Sequence, residues 1–216
     1  MPGEWMEWGF KIAQDMHEET NMPPLYGLVL SGGKSTRMGT DKGLIRYHGK
    51  PQREYLYDML EGICEATFMS IRSGQLEEMD QDHRRIIDTD TFRGPFNGLS
   101  SAHQEFPGVA WLVLACDLPL IDGATLQLLV SAREPQRDAT ALATRESGLP
   151  EPLAAIWEPR ALDKAPAYLE EAQSSCPRKY LLRSDTALVF PGQDLVLYNA
   201  NSMEEYRQAR EKLAAL

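Results

Sequence analysis

The chain has few cysteines, no long apolar run and a shortage of positive charge. Three cysteines among 216 residues, none in a CxxC pair, exclude a disulfide framework and a zinc ribbon. The longest apolar stretch, Val109 to Cys116, has eight residues and is too short to span a membrane. Residues 1–5 lack the basic and apolar regions of a signal peptide. We therefore expect a reduced, cytoplasmic protein with no membrane segment.

The charge balance excludes one class of partner. Lys and Arg number 22 against 32 Asp and Glu, a net charge of −10, so we expect no nucleic-acid polymer as a partner. A single anionic ligand can still bind where a few cations converge. A hydrophobic content of 43% and a charged content of 25% are typical of a globular protein. The length fits one large α/β domain with a sizeable core.

The first 24 residues differ from the rest and are interpreted as an N-terminal extension preceding a domain over 25–216. Trp5, Trp8, Ile12 and Met16 fall at helical spacing, which predicts a short amphipathic helix. Two prolines at 23 and 24 end any such helix.

From Leu25 onward, strand-like and helix-like segments alternate, which predicts a mostly parallel sheet covered on both faces. The predicted strands are 25–30, 66–71, 84–87, 109–115, 139–143, 153–157 and 187–190. The predicted helices are 52–64, 97–106, 122–133 with Asp122 as N-cap, 160–172, 177–183 and a last one from Ser202. Ligands on such sheets bind beyond the carboxyl ends of strands, so the loops after Leu30, Ile87 and Ala115 are the candidate site.

The loop after Leu30 is rich in glycine and cations, yet it matches neither common phosphate-binding pattern. A P-loop ending in Gly33-Lys34 needs glycine at position 28, which is Leu28, and no GxGxxG is present. Glycines 32 and 33 let backbone N–H groups approach a phosphate closely. Lys34, Arg37 and Lys42 then place three cations within ten residues, which predicts an anion site.

Carboxylates follow two of the predicted strands. Asp117 comes after the most apolar strand, where a hard carboxylate suits Mg²⁺; a capping role is the alternative, which Asp122 fills better. Asp88 holds the same kind of position on another strand, although Asp90 competes with it. No HxxxH, HExxH or GxSxG pattern occurs, so the sequence offers no anchor for a zinc protease or a hydrolase triad.

Two turn motifs complete the set. Gly94-Pro95-Phe96-Asn97-Gly98 predicts a rigid turn that opens a helix, whose N-terminus can face a ligand. Asn199-Ala200-Asn201 precedes the last helix, where an Asn or Ser202 can serve as the N-cap.

Together these motifs resemble the molybdenum cofactor guanylyltransferases of the nucleotidyltransferase superfamily. The resemblance rests on Leu30-Ser31-Gly32-Gly33 through Arg37-Met38-Gly39 to Asp41-Lys42, with Gly94-Pro95 and Gly98, Cys116-Asp117-Leu118-Pro119, and Asn199-Ala200-Asn201 in the same order. It implies a Rossmann-like three-layer sandwich with a mostly parallel central sheet. It also implies transfer of GMP from Mg-GTP to the terminal phosphate of molybdopterin, with release of pyrophosphate.

The resemblance also implies a role for each matching residue. Arg37, Lys42 and Asp117 would be catalytic, with Asp117 as the Mg²⁺ ligand. The substrate-binding residues would be Leu30, which contacts the base through its backbone, Gly32, Gly33, Lys34, Asp88 on the guanosine side, and Asn199 and Asn201 towards the metal or the pterin phosphate.

Three departures from the family pattern are visible. Ser31 replaces a common alanine, Phe96-Asn97 replaces Leu-Ala, and the Thr-Pro that commonly follows the second Asn is missing after Asn201. The alternatives are therefore a sister nucleotidyltransferase that uses CTP or another phosphate acceptor, and a non-catalytic nucleotide-binding regulatory module. For the extension, the open interpretations are cover of the protein's own surface and contact with a partner or a second copy. For the protein as a whole, the expected partners are GTP and the molybdopterin cofactor, with a homo-oligomer or transient contact with molybdoenzymes or cofactor-handling proteins left open.

Overall fold

The computed structural model of the chain describes residues 22–32, 41–78, 82–172 and 174–215. The predicted helix in residues 1–21 lies outside the described part. The strands are β1 Leu25–Leu30, β2 Ala66–Ile71, β3 Arg85–Ile87, β4 Ala110–Ala115, β5 Ala139–Ala143, β6 Pro150–Trp157 and β7 Thr186–Val189. The helices are α1 Gln52–Glu61, α2 Pro95–Glu105, α3 Gly123–Ser131, α4 Pro159–Ala172, α5 Pro177–Leu181 and α6 Met203–Ala214, with 3₁₀ turns at Lys42–Leu44, Ser73–Glu78 and Asp194–Leu197.

The seven strands form one mixed sheet in the order β3-β2-β1-β4-β6-β5-β7. β6 runs antiparallel to both of its neighbours, and the other adjacent pairs are parallel. The direction of β6 follows from its connection, because a short turn after β5 can join only antiparallel strands. The mostly parallel sheet predicted from the alternating elements is therefore confirmed.

Each face of the sheet carries its own apolar layer, which confirms the three-layer arrangement. Helices α1 and α3 pack on one face, where Leu56, Leu60 and Leu126 are fully buried against Leu112. On the other face, α2, α4 and α5 pack over a second cluster that contains the fully buried Trp111. None of the helices within the described ranges combines the length and apolar character needed to cross a bilayer.

Two predicted boundaries are wrong by three residues. β6 begins at Pro150, where the sequence predicted a loop before Leu153. Pro150 is tolerated because it is the first residue of the strand and pairs with Ala143 where the β5–β6 register shifts. α1 ends at Glu61 and not at Cys64, since Gly62 to Cys64 form a turn after the helix.

The predicted helix N-caps are confirmed at two positions. Asp122 accepts a hydrogen bond from the Thr125 N–H at 2.7 Å, and Ser202 accepts one from the Glu205 N–H at 3.2 Å. Asn199 and Asn201 are therefore not the caps of α6, so their side chains are left for other contacts.

A buried ion pair fixes the chain where the described part begins. Arg133 binds Glu158 through two hydrogen bonds of 2.7 and 2.9 Å, with only 6% and 1% of the two side chains exposed. The same guanidinium donates to the Pro23 carbonyl at 2.9 Å. The Pro24 carbonyl accepts a hydrogen bond from the Ala110 N–H, so Pro23 is tied to Arg133 and Pro24 to the amino end of β4.

The strand order places a topological switch point between β1 and β4. The chain leaves β1 towards β2 and β3 on one side, then crosses back to form β4 on the other side. In doubly wound sheets, connections that diverge in this way leave a crevice at the carboxyl ends of the strands, where ligands bind.

Candidate active site

A cavity of about 540 Å³ occupies that crevice. It is lined by residues that follow the carboxyl ends of β1 to β4, together with Leu153 from β6. Of the site residues predicted from the sequence, it brings together five: Leu30, Gly32, Lys42, Asp88 and Asp117. Gly33, Lys34 and Arg37 lie outside the described residues.

The position of Lys42 is fixed both at its backbone and at its ammonium group. Asp41 caps the 3₁₀ turn Lys42–Leu44 by accepting the Gly43 N–H at 2.9 Å, which fixes the backbone. The Lys42 ammonium donates to Asn201 Oδ1 at 2.5 Å and lies 3.8 Å from Asp117 Oδ2. Three separate parts of the chain thus converge on one positive charge.

Asp117 follows the carboxyl end of β4, and its carboxylate is largely shielded from solvent. Its side chain is 19% exposed, and burial raises the pKa of the carboxyl although the nearby Lys42 lowers it. Within the described residues, Asp117 Oδ1 is buried and has no hydrogen-bond partner. A buried carboxylate oxygen without a partner is costly, and a cation would satisfy it.

The donor set fits a magnesium ion that is shared with substrate. No group of three or more His, Cys, Asp or Glu side chains in the described ranges could hold a metal by itself. Mg²⁺ commonly binds through one or two carboxylates while phosphates and water complete its shell. Asp117 therefore suits a metal that arrives with a phosphorylated ligand.

Asp88 lies at the other end of the cavity, after β3. Ser70 donates to Asp88 Oδ1 at 2.6 Å, and the Asp88 N–H bonds the Ile71 carbonyl at 2.8 Å. Burial raises the pKa of the Asp88 carboxyl, and hydrogen bonds from Ser70 and Asn97 oppose that rise. A Cβ atom added to Gly32 would lie 2.6 Å from Asp88 Oδ2, so only glycine permits this approach. Asp90, the alternative to Asp88 as the site carboxylate after this strand, also lines the cavity.

The Gly94 to Gly98 motif opens α2 at the cavity wall, as the sequence predicted. Gly94 has φ 67° and ψ −152°, a backbone region open essentially to glycine alone. Gly98 packs so closely that an added Cβ would lie 2.3 Å from Ser70 Oγ. The motif therefore fixes how α2 meets β2.

The two predicted asparagines have different surroundings. Asn201 reaches Lys42, and its own N–H bonds Glu205 Oε2 at 2.8 Å, which also accepts from Ser202 Oγ at 2.9 Å. Asn199 instead donates to the Leu197 carbonyl at 3.2 Å and is not among the residues lining the cavity. Ala200, between them, bonds the Asp117 carbonyl through its N–H at 2.8 Å.

The sequence reasoning missed the loop after β2. Gln75 is 4% exposed and donates from one amide nitrogen to Asp41 Oδ2 at 2.8 Å and to the Ser31 carbonyl at 3.2 Å. Arg72 and Arg93 also line the cavity. The sequence carried a signal for Arg72 and Gln75, because β2 was predicted as a strand of the same sheet. The carboxyl end of β2 must therefore lie at the same edge of the sheet as that of β1.

Fold and site together define a class: an α/β protein with a cavity at the switch point of its sheet, lined by Lys42, the Asp117 carboxylate and Gly32. The family described as the MobA-like NTP transferase domain matches residues 27–188, and the chain belongs to that family of nucleotidyltransferases.

Curated relatives agree with this assignment. The chain is 37% identical over 194 residues to a molybdenum cofactor biosynthesis bifunctional protein from Synechocystis sp., covering 88% of this chain and 55% of that protein. The chain thus spans little more than half the length of this relative. It is 31% identical over 194 residues to a molybdenum cofactor guanylyltransferase from Pseudomonas fluorescens, covering 88% of this chain and 95% of that protein.

A solved structure shows the same fold. The crystal structure of molybdopterin-guanine dinucleotide biosynthesis protein A from Archaeoglobus fulgidus has a TM-score of 0.72, with 20% sequence identity, over 88% of this chain and 100% of that one. The Rossmann-like α/β sandwich expected from the sequence is confirmed.

Proposed function

We propose that this protein transfers GMP from Mg-GTP to the terminal phosphate of molybdopterin and releases pyrophosphate. The observation that carries the proposal is the convergence of Lys42 with Asp117 at 3.8 Å and Asn201 at 2.5 Å at the switch point of the sheet. The names of the guanylyltransferase relatives support the choice of nucleotide and acceptor.

The reaction needs charge neutralisation and alignment more than a protein nucleophile. An oxygen of the acceptor phosphate attacks the α-phosphorus of GTP. The bond between that phosphorus and the bridging oxygen breaks, and pyrophosphate leaves with the bonding electrons. The one thiol at the cavity, Cys116, is buried, and burial raises its pKa so that it stays protonated.

The cations and the glycine turn would bind the triphosphate. Lys42 would neutralise the charge that develops on the phosphates. Gly32 and Gly33 would bind the phosphates through backbone N–H groups, and Lys34 and Arg37 would bind them through their side chains. Leu30 and Asp88 would line the nucleoside side. Asn199 and Asn201 would lie towards the acceptor.

Asp117 would hold Mg²⁺ through its unpartnered Oδ1. The ion, when bound, supplies positive charge that stabilises the oxygens of the reacting phosphates. The role of Asp117 is to keep that charge beside Lys42, at the carboxyl end of β4.

The wider setting also belongs to this proposal. Residues 25–216 would form the nucleotidyltransferase domain and residues 1–24 an extension, which would cover the protein's own surface or contact another copy or a cofactor-handling partner. We expect the protein to work in the cytoplasm, where GTP is available.

The test is pyrophosphate release with Mg²⁺, molybdopterin and each of GTP, CTP and ATP in turn. Release that requires GTP and molybdopterin supports the proposal. Preference for CTP would point to a sister nucleotidyltransferase. Tight GTP binding without any release would point to a regulatory module and contradict the proposal.

A further inference from the structure

Arg72 lines the cavity and carries a buried guanidinium donor that the proposed chemistry does not use. It follows β2, lines the cavity and lies beside the glycine turn, with its Cγ 3.6 Å from the place a Cβ of Gly32 would take. Its Nε atom is buried and, within the described residues, has no hydrogen-bond partner. A buried guanidinium nitrogen of this kind is costly unless a ligand accepts from it.

The order of the strands places Arg72 away from the transfer end of the site. Along the carboxyl edge the sheet presents Asp117 after β4, Gly32 after β1, Arg72 after β2 and Asp88 after β3. Adjacent strands are about 4.8 Å apart, so Arg72 lies about 10 Å from Asp117 along this edge. This argument rests on the proposed function: when the triphosphate lies at Lys42 and Asp117, the base extends towards β2 and β3.

Arg72 and Asp88 together offer both kinds of hydrogen-bonding group. Arg72 offers only donors, arranged in a planar fork, whereas an ionised Asp88 offers only acceptors. The two groups are close enough for the charge of Arg72 to lower the pKa of the Asp88 carboxyl. Guanine carries the acceptors O6 and N7 beside the donors at N1 and N2.

We propose that Arg72 determines nucleotide specificity by donating hydrogen bonds to O6 and N7 of the guanine base. This bidentate pairing of arginine with guanine is well known from nucleic-acid recognition. Adenine and cytosine carry an amino group where guanine has O6, and an amino group cannot accept from a guanidinium.

A second arginine of the cavity provides a matched control. Arg93 lines the same cavity from the loop before α2 but is exposed. Removal of the Arg93 charge therefore reproduces the electrostatic change of an Arg72 variant without removing the buried Arg72 Nε donor. If Arg72 contacted phosphate instead of the base, its removal would weaken the binding of all nucleoside triphosphates equally.

The experiment measures dissociation constants by calorimetry for GTP, ITP, 7-deaza-GTP, ATP and CTP on the full chain. The variants are Arg72→Met, Arg72→Lys and Arg93→Met, each checked for an unchanged melting temperature. ITP keeps both O6 and N7, whereas 7-deaza-GTP lacks N7, so the two probes isolate the acceptors in question.

Arg72→Met should weaken GTP and ITP at least about fivefold while CTP changes by less than about twofold. The wild type should bind 7-deaza-GTP more weakly than GTP, and Arg72→Met should remove that difference. Arg93→Met should preserve the ratio of GTP to CTP affinity.

Equal losses for all nucleotides in Arg72→Met, or an unchanged preference for GTP, would overturn the assignment of Arg72. A wild-type protein that binds no GTP, or prefers CTP, would instead contradict the proposed function. The two failures are therefore distinguishable in one data set.

Discussion

The ammonium of Lys42 lies 2.5 Å from Asn201 Oδ1, although 159 positions separate the two residues in the sequence. Glu205 completes the arrangement, because its carboxylate accepts the Asn201 N–H and the Ser202 hydroxyl at the start of α6. The first turn of the C-terminal helix thus helps to position a lysine that enters the site from the opposite end of the chain.

Substitution of Asn201 should therefore affect turnover more than stability. In Asn201→Ala, Lys42 loses the acceptor that orients it, and we expect turnover to fall about ten- to hundredfold because small misplacements of reacting groups are costly. Gln208→Ala is the matched control, since this carboxamide on α6 contacts Tyr198 and Glu204 and does not line the cavity. Equal losses of pyrophosphate release in both variants would contradict the role of Asn201.

Removal of the Asp117 carboxylate should abolish most activity with the fold intact. We expect Asp117→Ala to lower pyrophosphate release at least about a hundredfold, because the metal charge that stabilises the phosphates would no longer be held. The variant should not melt earlier, since the buried carboxylate is itself costly. Asp163→Ala is the control, because Asp163 is 66% exposed and pairs with His103 instead. Near-normal release in Asp117→Ala would refute the metal assignment.

Gln75 should hold Ser31 and Asp41, which lie on either side of residues 33–40, in position. It bonds Ser31 and Asp41, which flank residues 33–40, while its oxygen accepts the Arg72 N–H at 3.0 Å. Gln75→Glu keeps the shape but places a carboxylate against Asp41, so we expect kcat/KM to fall at neutral pH and to recover partly on acidification, as a protonated Glu can donate again. Gln75→Met should lose activity without this recovery. Identical pH profiles for the two variants would argue for a purely structural role.

Asp88 should make nucleotide binding depend on pH. Burial raises its pKa above the ordinary value of 3.8, so the ionised form is lost at a higher pH than for a free Asp. If the carboxylate accepts from the nucleoside, GTP affinity should fall as the pH drops through that raised pKa. Titration calorimetry on Asp88→Asn should show weaker binding with a flatter pH profile.

The same shift predicts the effect of Asp88 on stability. A carboxyl with a raised folded-state pKa destabilises the fold at pH values above that pKa, where it is ionised. Asp88→Asn should therefore melt no earlier than the wild type at neutral pH and lose this advantage in acid. A clear loss of stability at pH 7 would show that the bond from Ser70 outweighs the cost of burial.

Gly98 should be intolerant of any side chain. An added Cβ would lie 2.3 Å from Ser70 Oγ and 2.7 Å from Leu30 Cδ2, so we expect Gly98→Ala to destabilise the protein by about 1–3 kcal/mol through overpacking. Gly123→Ala is the control: a Cβ there meets nothing within 4 Å, at the first residue of α3. Thermal unfolding of both variants tests the difference, and a Gly98→Ala protein as stable as Gly123→Ala would contradict the packing argument.

The sequence by itself determined the alternation of elements and the edge of the sheet where ligands bind. Apolar runs such as Ala110–Ala115, and N-caps such as Asp122, carry their signal within a few residues, so both were confirmed. The positions of Leu30, Asp88 and Asp117 follow from the same logic, because each stands at or just after the carboxyl end of a parallel strand.

Only the tertiary structure decided which of these residues meet. The antiparallel course of β6, the reach of Asn201 to Lys42, the separation of Asn199 from the cavity and the approach of Arg72 to Gly32 all join residues far apart in the chain. Such contacts depend on strand order and side-chain direction, which a linear pattern does not encode. Loop composition can indicate where a binding site lies, but tertiary packing decides which side chains form it.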